Sequence, residues 1–278
     1  MGAYDSWTGK TERVADEIRL TPAQAMLATL DDTETRLENG SALPPMWHWL
    51  YFLPRAPQSK IGPDGHASRG EFMPPVTLPR RMFAGARLRF PHPLLIGKPA
   101  ERIGTIGAVA EKQGQTGPLV FVTVRYEIKQ DGKTCIEEEQ DIVYRGEGGR
   151  TPAPTVAPLP PAPQEAWTRL VKPDPVLLFR YSALTFNGHR IHYDRTYATE
   201  VEGYPGLVVH GPLTATLLIE LARRHAKRPI AGFSFRARAP LFDLAPFRVQ
   251  GVPAGDKVEL EAIGPDGKPS MSAVAELG

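Results

Sequence analysis

The sequence predicts an α+β protein in which a helix covered by an antiparallel sheet occurs twice along the chain. Three observations carry this reading. A helix-like segment followed by several strand-like segments occurs before residue 146 and again after residue 166. Glycine-containing breaks, including the hairpin signal "QDG", join successive strands directly, which suits antiparallel pairing. Between the two sets, "GEGGRTPAPTVAPLPPAPQEAW" carries six prolines from Pro152 to Pro163 and little that can pack, the composition of a stiff, extended spacer. The expected organisation is therefore an N-terminal domain over 1–145, a linker over 146–166 and a C-terminal domain over 167–278. No residue-level repeat relates the halves, so their likeness lies in element order alone.

In the first half, "TPAQAMLATLDD" reads as a helix, with Thr21 as N-cap, Pro22 in the first turn and Ala25, Met26 and Leu30 at helical spacing. The stretches "MFAGARLRF", "AERIGTIGAVAEKQG", "LVFVTVRYEIKQDG" and "KTCIEEEQDIVYR" then read as strands. The second half opens with "PVLLFRYSA", read as extended, and continues with a helix in "VVHGPLTATLLIELARRHAK". The strands "GFSFRARAPL", "APFRVQGV", "DKVELEAIGPDG" and "PSMSAVAEL" complete it. A curved sheet wrapped on one helix buries that helix around most of its circumference.

The composition narrows the function. With 33 Lys and Arg against 31 Asp and Glu, the net charge of +2 gives no basic field for nucleic acid. The single cysteine, Cys135, can close no internal disulfide and supply no cysteine-based zinc site, so a reducing compartment is expected. The first twenty residues contain no apolar signal region, and no later run approaches the roughly 20 apolar residues of a membrane span. A cytoplasmic chain without a membrane partner is expected.

The helix beginning at His210 and Gly211 has Pro212 in its first turn and an apolar face of Leu213, Leu217, Leu218 and Leu221, so it is expected to be central and buried. Helix starts leave free N–H groups and partial positive charge, which makes the Gly211 amide a candidate oxyanion donor. The plainer alternative is that Gly211 only permits a tight turn. For "TFNGHRIHYD", from Thr185 to Asp194, three readings stand open. His192 can act as a general acid and base, with Asn187 orienting water. His189 and His192 can join His210 on a metal. Or the polar residues only cap a turn.

The segments "FRYSALTFNGHRIHYDRTYA" and "EGYPGLVVHGPLTATLL" resemble the hydratase motif and helix start of the MaoC-like, hot-dog-fold enoyl-thioester hydratases. "RYSALTFNGHRIHYD" is similar to the branch containing the type 2 3-hydroxyacyl-thioester dehydratases. The added first half, with "EEEQDIVYR" closing its sheet, resembles the two-domain mesaconyl-C4-CoA and itaconyl-CoA hydratases. The resemblance implies a double hot-dog in which the first half is a non-catalytic partner, since it holds His48, His66 and His92 but no copy of the motif. It implies one active site per chain, with His192 as the catalytic histidine and Gly211 as the amide that polarises the thioester carbonyl. Asn187 falls where the family usually has an aspartate, and an amide cannot exchange a proton as a carboxylate does.

The implied reaction is reversible hydration of an α,β-unsaturated acyl-CoA, with citramalyl-CoA the product expected from a branched C5 dicarboxylyl substrate. Coenzyme A is then part of the substrate, and no cofactor or metal is needed. Arg180, Arg190 and Arg195 are candidates for the substrate carboxylate, because a guanidinium can bond both of its oxygens. His189, Tyr193, Val209 and His210 flank the motif residues as expected substrate contacts. "RRHAKR" and "FRARA" are candidate sources of phosphate contacts to CoA. The rival readings are a 3-hydroxyacyl-thioester dehydratase of fatty-acid synthesis, a hot-dog thioesterase and a non-catalytic acyl-CoA-binding protein. A homo-oligomer, in the simplest case a dimer, is expected.

Overall fold

The protein is described by a computed structural model covering residues 3–114 and 117–278. Five strands precede the proline-rich segment: β1 (Thr11–Glu17), β2 (Arg80–Arg89), β3 (Pro99–Gly114), β4 (Gly117–Gln130) and β5 (Lys133–Arg145). Five follow it: β6 (Trp167–Val171), β7 (Ile230–Ala237), β8 (Phe247–Ala254), β9 (Lys257–Ile263) and β10 (Pro269–Leu277). They form one sheet in the order β1-β3-β4-β5-β2-β7-β10-β9-β8-β6. The second set repeats the first in mirrored sequence, so the two expected sheets join edge to edge.

The join is β2 against β7, antiparallel from Gly85 opposite Arg236 to Arg89 opposite Gly232. Gly85 is required there: a Cβ would lie 2.4 Å from the carbonyl oxygen of Phe235. Beside it Phe83 stacks on Phe235 at 5.8 Å, with Trp49 edge-on to both rings. Such offset and edge contacts between aromatic rings add to their burial.

The eight segments read as strands all occur, and "QDG" makes a tight turn between β4 and β5 with Asp131 and Gly132 at φ 51° and 75°. Positive φ at both central residues matches the right-handed twist of the paired strands. β1 and β6 escaped the sequence reading. Both are edge strands; β1 has no buried side chain, and "TERVADE" shows no apolar alternation.

Among the described residues three α-helices accompany the sheet: α1 (Leu20–Thr29), α2 (Pro175–Leu184) and α3 (Gly211–His225). α1 begins earlier than expected, after Arg19, and Thr21 lies inside it rather than capping it. "PVLLFRYSA" is not extended but forms α2. Asp174 accepts from the N–H groups of Val176 (2.8 Å) and Leu177 (3.0 Å), and Pro175 opens the first turn. That Asp-Pro pair is a helix-start signal which outweighs the apolar run behind it.

α3 lies across the strands of the second half. It is buried on every side from Leu213 to Ala222, a stronger burial than its leucine face predicts. Glu220 is therefore sealed in, and its carboxylate accepts from Trp47 Nε1 (3.0 Å) and from Arg223 (2.7 Å). Residues 146–166 hold no helix or strand. They lie against the second half, with Ala157 N–H donating to Pro265 O (2.8 Å) and Arg248 to Pro160 O (2.7 Å). No helix among the described residues is long and apolar enough to cross a membrane.

Candidate active site

The site lies where the turn after α2 meets the start of α3. Phe186 takes a φ of 50°, which sends the chain back so that Asn187 N–H donates to Ser182 O (2.8 Å). Asn187 Oδ1 then accepts from His189 N–H at 3.0 Å, closing an Asx turn. A 3-10 turn, Arg190–His192, carries His192 to the mouth of α3. Its Nδ1 lies 2.7 Å from the carbonyl oxygen of Val208, and a carbonyl only accepts, so Nδ1 carries the proton. Nε2 keeps its lone pair and has no partner among the described residues.

The His192 ring stacks on His210 at 3.6 Å, with 18° between the planes. His210 is the N-cap residue of α3, fully buried, with Nε2 2.8 Å from Ser182 Oγ. Gly211 opens the helix, so its N–H has no intrahelical partner. An added Cβ would meet nothing within 4 Å, which leaves open space at this amide. The ring that carries a lone-pair nitrogen thus stacks on the residue that precedes a main-chain donor at the helix start.

The environment keeps the imidazoles neutral. Burial holds His192 down to about 4, with His66 adding to the shift and the Val208 hydrogen bond opposing it. Burial first, then His66 and His192, takes His189 to about 2. Burial also keeps His210 well below its ordinary range. At neutral pH His192 is an acceptor and able to take a proton.

The first half also reaches this site. A loop closed by a bridge between Ile61 and Ala67 brings the His66 ring to 4.2 Å from His189, whose ring lies 5.5 Å from His192. The loop docks by main-chain contacts, with Arg190 N–H donating to Asp64 O (2.9 Å) and Arg190 Nη1 to Pro63 O (3.0 Å). Gly65, at φ 90°, allows this approach, since a Cβ there would lie 1.8 Å from Gly188 O. The sequence reading left Asp64 and His66 outside the site. The turn signal "GPDG" before His66 marks a loop, but nothing in it says which surface the loop meets.

The metal set His189, His192 and His210 does not converge, because His192 and His210 present ring faces to each other. The residues whose donor atoms do approach one another, within 4.8 Å, are Asp64, His66 and His189. There Asp64 Oδ2 already accepts from His66 Nδ1 (3.0 Å) and Oδ1 from His66 N–H (3.0 Å). The Asp64–His66 pair is thus already satisfied as a hydrogen-bonded dyad without an ion.

The arginines expected at the substrate are placed otherwise. Arg190 donates to Asp194 Oδ2 (2.7 Å) and lies over the Tyr197 ring at 4.2 Å. Arg195 pairs with Asp243, whose side chain is 2% exposed. Arg180 is exposed on α2. Tyr193 OH donates to Gly188 O (2.9 Å), and Val209 N–H to Leu241 O (2.8 Å), so both brace the site's walls. Of the phosphate candidates, Arg223 and Arg224 pair with Glu220 and Asp32, while Arg236 and Arg238 remain exposed.

Residues 46–243 match the family described as hydroxyacyl-thioester dehydratase type 2. Over 273 residues, 98% of this chain and 97% of the relative, it is 62% identical to the mesaconyl-C(4)-CoA hydratase of Chloroflexus aurantiacus. It is 29% identical to the mitochondrial hydroxyacyl-thioester dehydratase type 2 of Schizosaccharomyces pombe, across 75% of this chain and 77% of the relative. Among solved structures, a MaoC-like dehydratase from Phytophthora capsici superposes with a TM-score of 0.70 at 12% identity, covering 100% of this chain and 98% of that one. A Mycobacterium tuberculosis protein with a double hotdog fold gives 0.60 at 13% identity, over 98% and 96% of the two chains. At such identities the likeness concerns the fold, and it is the fold of mirrored halves described above. The chain is an enzyme of the hydroxyacyl-thioester dehydratase type 2 family, built as a double hot-dog.

Proposed function

We propose that the enzyme reversibly hydrates the double bond of a branched C5 dicarboxylyl-CoA of the mesaconyl-C4 type, giving citramalyl-CoA. The observation that supports this is a neutral His192, its Nε2 without a partner among the described residues, whose ring stacks on His210, the residue before the Gly211 N–H that starts a buried helix. Water attacks the β carbon, the π electrons move onto the thioester oxygen, and the Gly211 amide stabilises the negative oxygen that forms. His192 takes a proton from the water and returns it to the α carbon, so no proton is left over. Asn187 keeps His189 in place through its Oδ1, while its amide nitrogen can still donate to a bound oxygen.

In a mesaconyl-C4 thioester the free carboxylate sits on the carbon that water attacks, so its cation must lie beside the histidines. Arg190 and Arg195 are engaged elsewhere. Arg81 of β2 is half-buried, has no ion-pair partner among the described residues, and is among the charges that hold His66 and His189 down. It suits that task, and the 62% identity to a mesaconyl-C(4)-CoA hydratase supports the choice of substrate. The dehydratase reading rests on the family description and uses the same residues in reverse.

Assaying the unaltered chain and His192→Ala with mesaconyl-C4-CoA and with crotonyl-CoA tests the reading. The substitution is expected to lower kcat by about 10²–10⁴-fold with the fold intact, and crotonyl-CoA to be the poorer substrate. A fully active variant removes the mechanism, and equal rates on both thioesters remove the dicarboxylate assignment.

A further inference from the structure

A water that attacks a carbon while losing one proton is oriented best by two acceptors, one for the proton it gives up and one for the hydrogen it keeps. His192 Nε2 supplies the first. Asn187, at the position expected to hold the water, has one lone pair of its oxygen committed to His189 N–H at 3.0 Å, and its amide nitrogen can only donate. A second acceptor, fixed by hydrogen bonds of its own, stands close by.

The loop from the first half carries one. Asp64 Oδ2 lies 3.0 Å from His66 Nδ1, and since a carboxylate only accepts, the proton is on Nδ1 and the Nε2 lone pair is free. Asp64 is itself held, with Oδ1 on His66 N–H (3.0 Å) and its carbonyl on Arg190 N–H (2.9 Å). The His66 ring lies 4.2 Å from His189, next in the row that leads to His192. Its side chain remains 24% exposed, so solvent and substrate can reach it. No other imidazole of the row has a carboxylate on its second nitrogen. Such a partner fixes the tautomer and steadies positive charge on the ring.

We propose that His66 is a catalytic residue contributed by the first half, its Nε2 accepting from the attacking water, and that Asp64 is the residue that positions it. The active site is then shared between the halves, and the first half is not a passive partner. No proton is transferred beyond those already counted: one goes from water to His192 and on to the α carbon, and the other stays on the new hydroxyl. This inference rests on the hydratase reading.

The test uses the full chain with mesaconyl-C4-CoA, separating kcat from KM and following thermal unfolding. His66→Phe, which keeps a ring but no acceptor, is expected to lower kcat about a hundred-fold with KM changed less than about three-fold. His66→Gln, whose Oε1 can stand in for Nε2, is expected to recover at least about ten-fold of that loss. Asp64→Asn should fall between the two. Retention of kcat in His66→Phe, or a glutamine variant no better than the phenylalanine one, overturns the proposal while leaving the hydratase reading in place. Absence of enoyl-CoA hydration by the unaltered chain overturns both. Loss of activity on dialysis against a chelator, restored by zinc, would make Asp64, His66 and His189 a metal site and overturn the acceptor role.

Discussion

The two halves share a strand order, yet only the second lays a long helix across its sheet. There α3 fills the concave face and offers a free N–H at its start. In the first half residues 30–79 follow an irregular path with two short 3-10 turns, and Met46, Trp47, Leu50, Tyr51 and Phe52 fill the core instead. An irregular segment buries apolar surface without committing its whole backbone to one axis, so parts of it can leave the core. The loop bearing Asp64 and His66 does so and crosses to the other half's site. One half thus holds the helix start proposed as oxyanion donor, and the other is free to lend side chains to it.

The turn Trp47–Leu50 also clamps the halves together. Trp47 Nε1 donates to Glu220 on α3 (3.0 Å), and two residues on Trp49 Nε1 donates to Glu138 on β5 (3.0 Å). One of these two buried carboxylates lies in each half, and they are satisfied differently. Glu220 is met by Arg223, whereas Glu138 accepts from His48 Nε2 (2.9 Å), Trp49 and Gln140 (2.8 Å). Burial alone would raise Glu138, but His48 first, then Gln140 and Trp49, holds it below its ordinary range.

The contrast can be broken at that carboxylate. His48→Leu removes the proton donor and leaves Glu138 sealed with a charge it cannot pair. The loss in urea unfolding is expected to be about 3–5 kcal/mol, and a change under 1 kcal/mol would mean that water or the remaining donors satisfy the group.

Acid should expose a weakness of the second half. Folded His192 gains its proton only near pH 4, against 6.5 for an ordinary histidine. Between those values the unfolded chain binds more protons, so stability that is full above about 6.5 declines as the pH falls toward 4. For His192 alone this amounts to roughly 3 kcal/mol, and His189 and His210 act in the same direction. Unfolding free energies at pH 7 and 4.5 should diverge less in His192→Ala than in the unaltered chain; an unchanged slope would place the titration elsewhere.

The smallest change in stability should come from Gly211→Ala. A Cβ there meets nothing within 4 Å, and alanine at a compatible glycine position stabilises by about 0.4–1 kcal/mol. On the proposed mechanism activity should nevertheless fall, because the methyl group occupies open space beside the Gly211 N–H. A variant with unaltered kcat/KM would show that the thioester oxygen lies elsewhere.

Much of the molecule was legible in the chain. Long alternating runs predicted eight of the ten strands, since a half-buried strand writes its two faces into every second residue. Pro212 and the leucines behind it marked α3, and the motif through His192 drew attention to the turn that meets its start. β1 and β6 were missed because edge strands carry no such pattern, and α2 because four apolar residues beside a proline suit strand and helix alike until the Asp174 cap is counted.

The local sequence also determined that Asn187 sits in a turn, that Gly211 starts a helix, and that "GPDG" turns the chain before His66. Which arginines are free, and which loop meets which histidine, was decided only by tertiary structure. Arg195 finds Asp243, and Arg223 finds Asp32, across separations of 48 and 191 residues. His66 reaches His189 because the loop from Ile61 to Ala67 seats Gly65 against Gly188. Turn and helix signals act over a few residues, whereas a charge or a lone pair is claimed by whatever the folded chain brings within about 3 Å, and one sequence read alone carries no record of that neighbour.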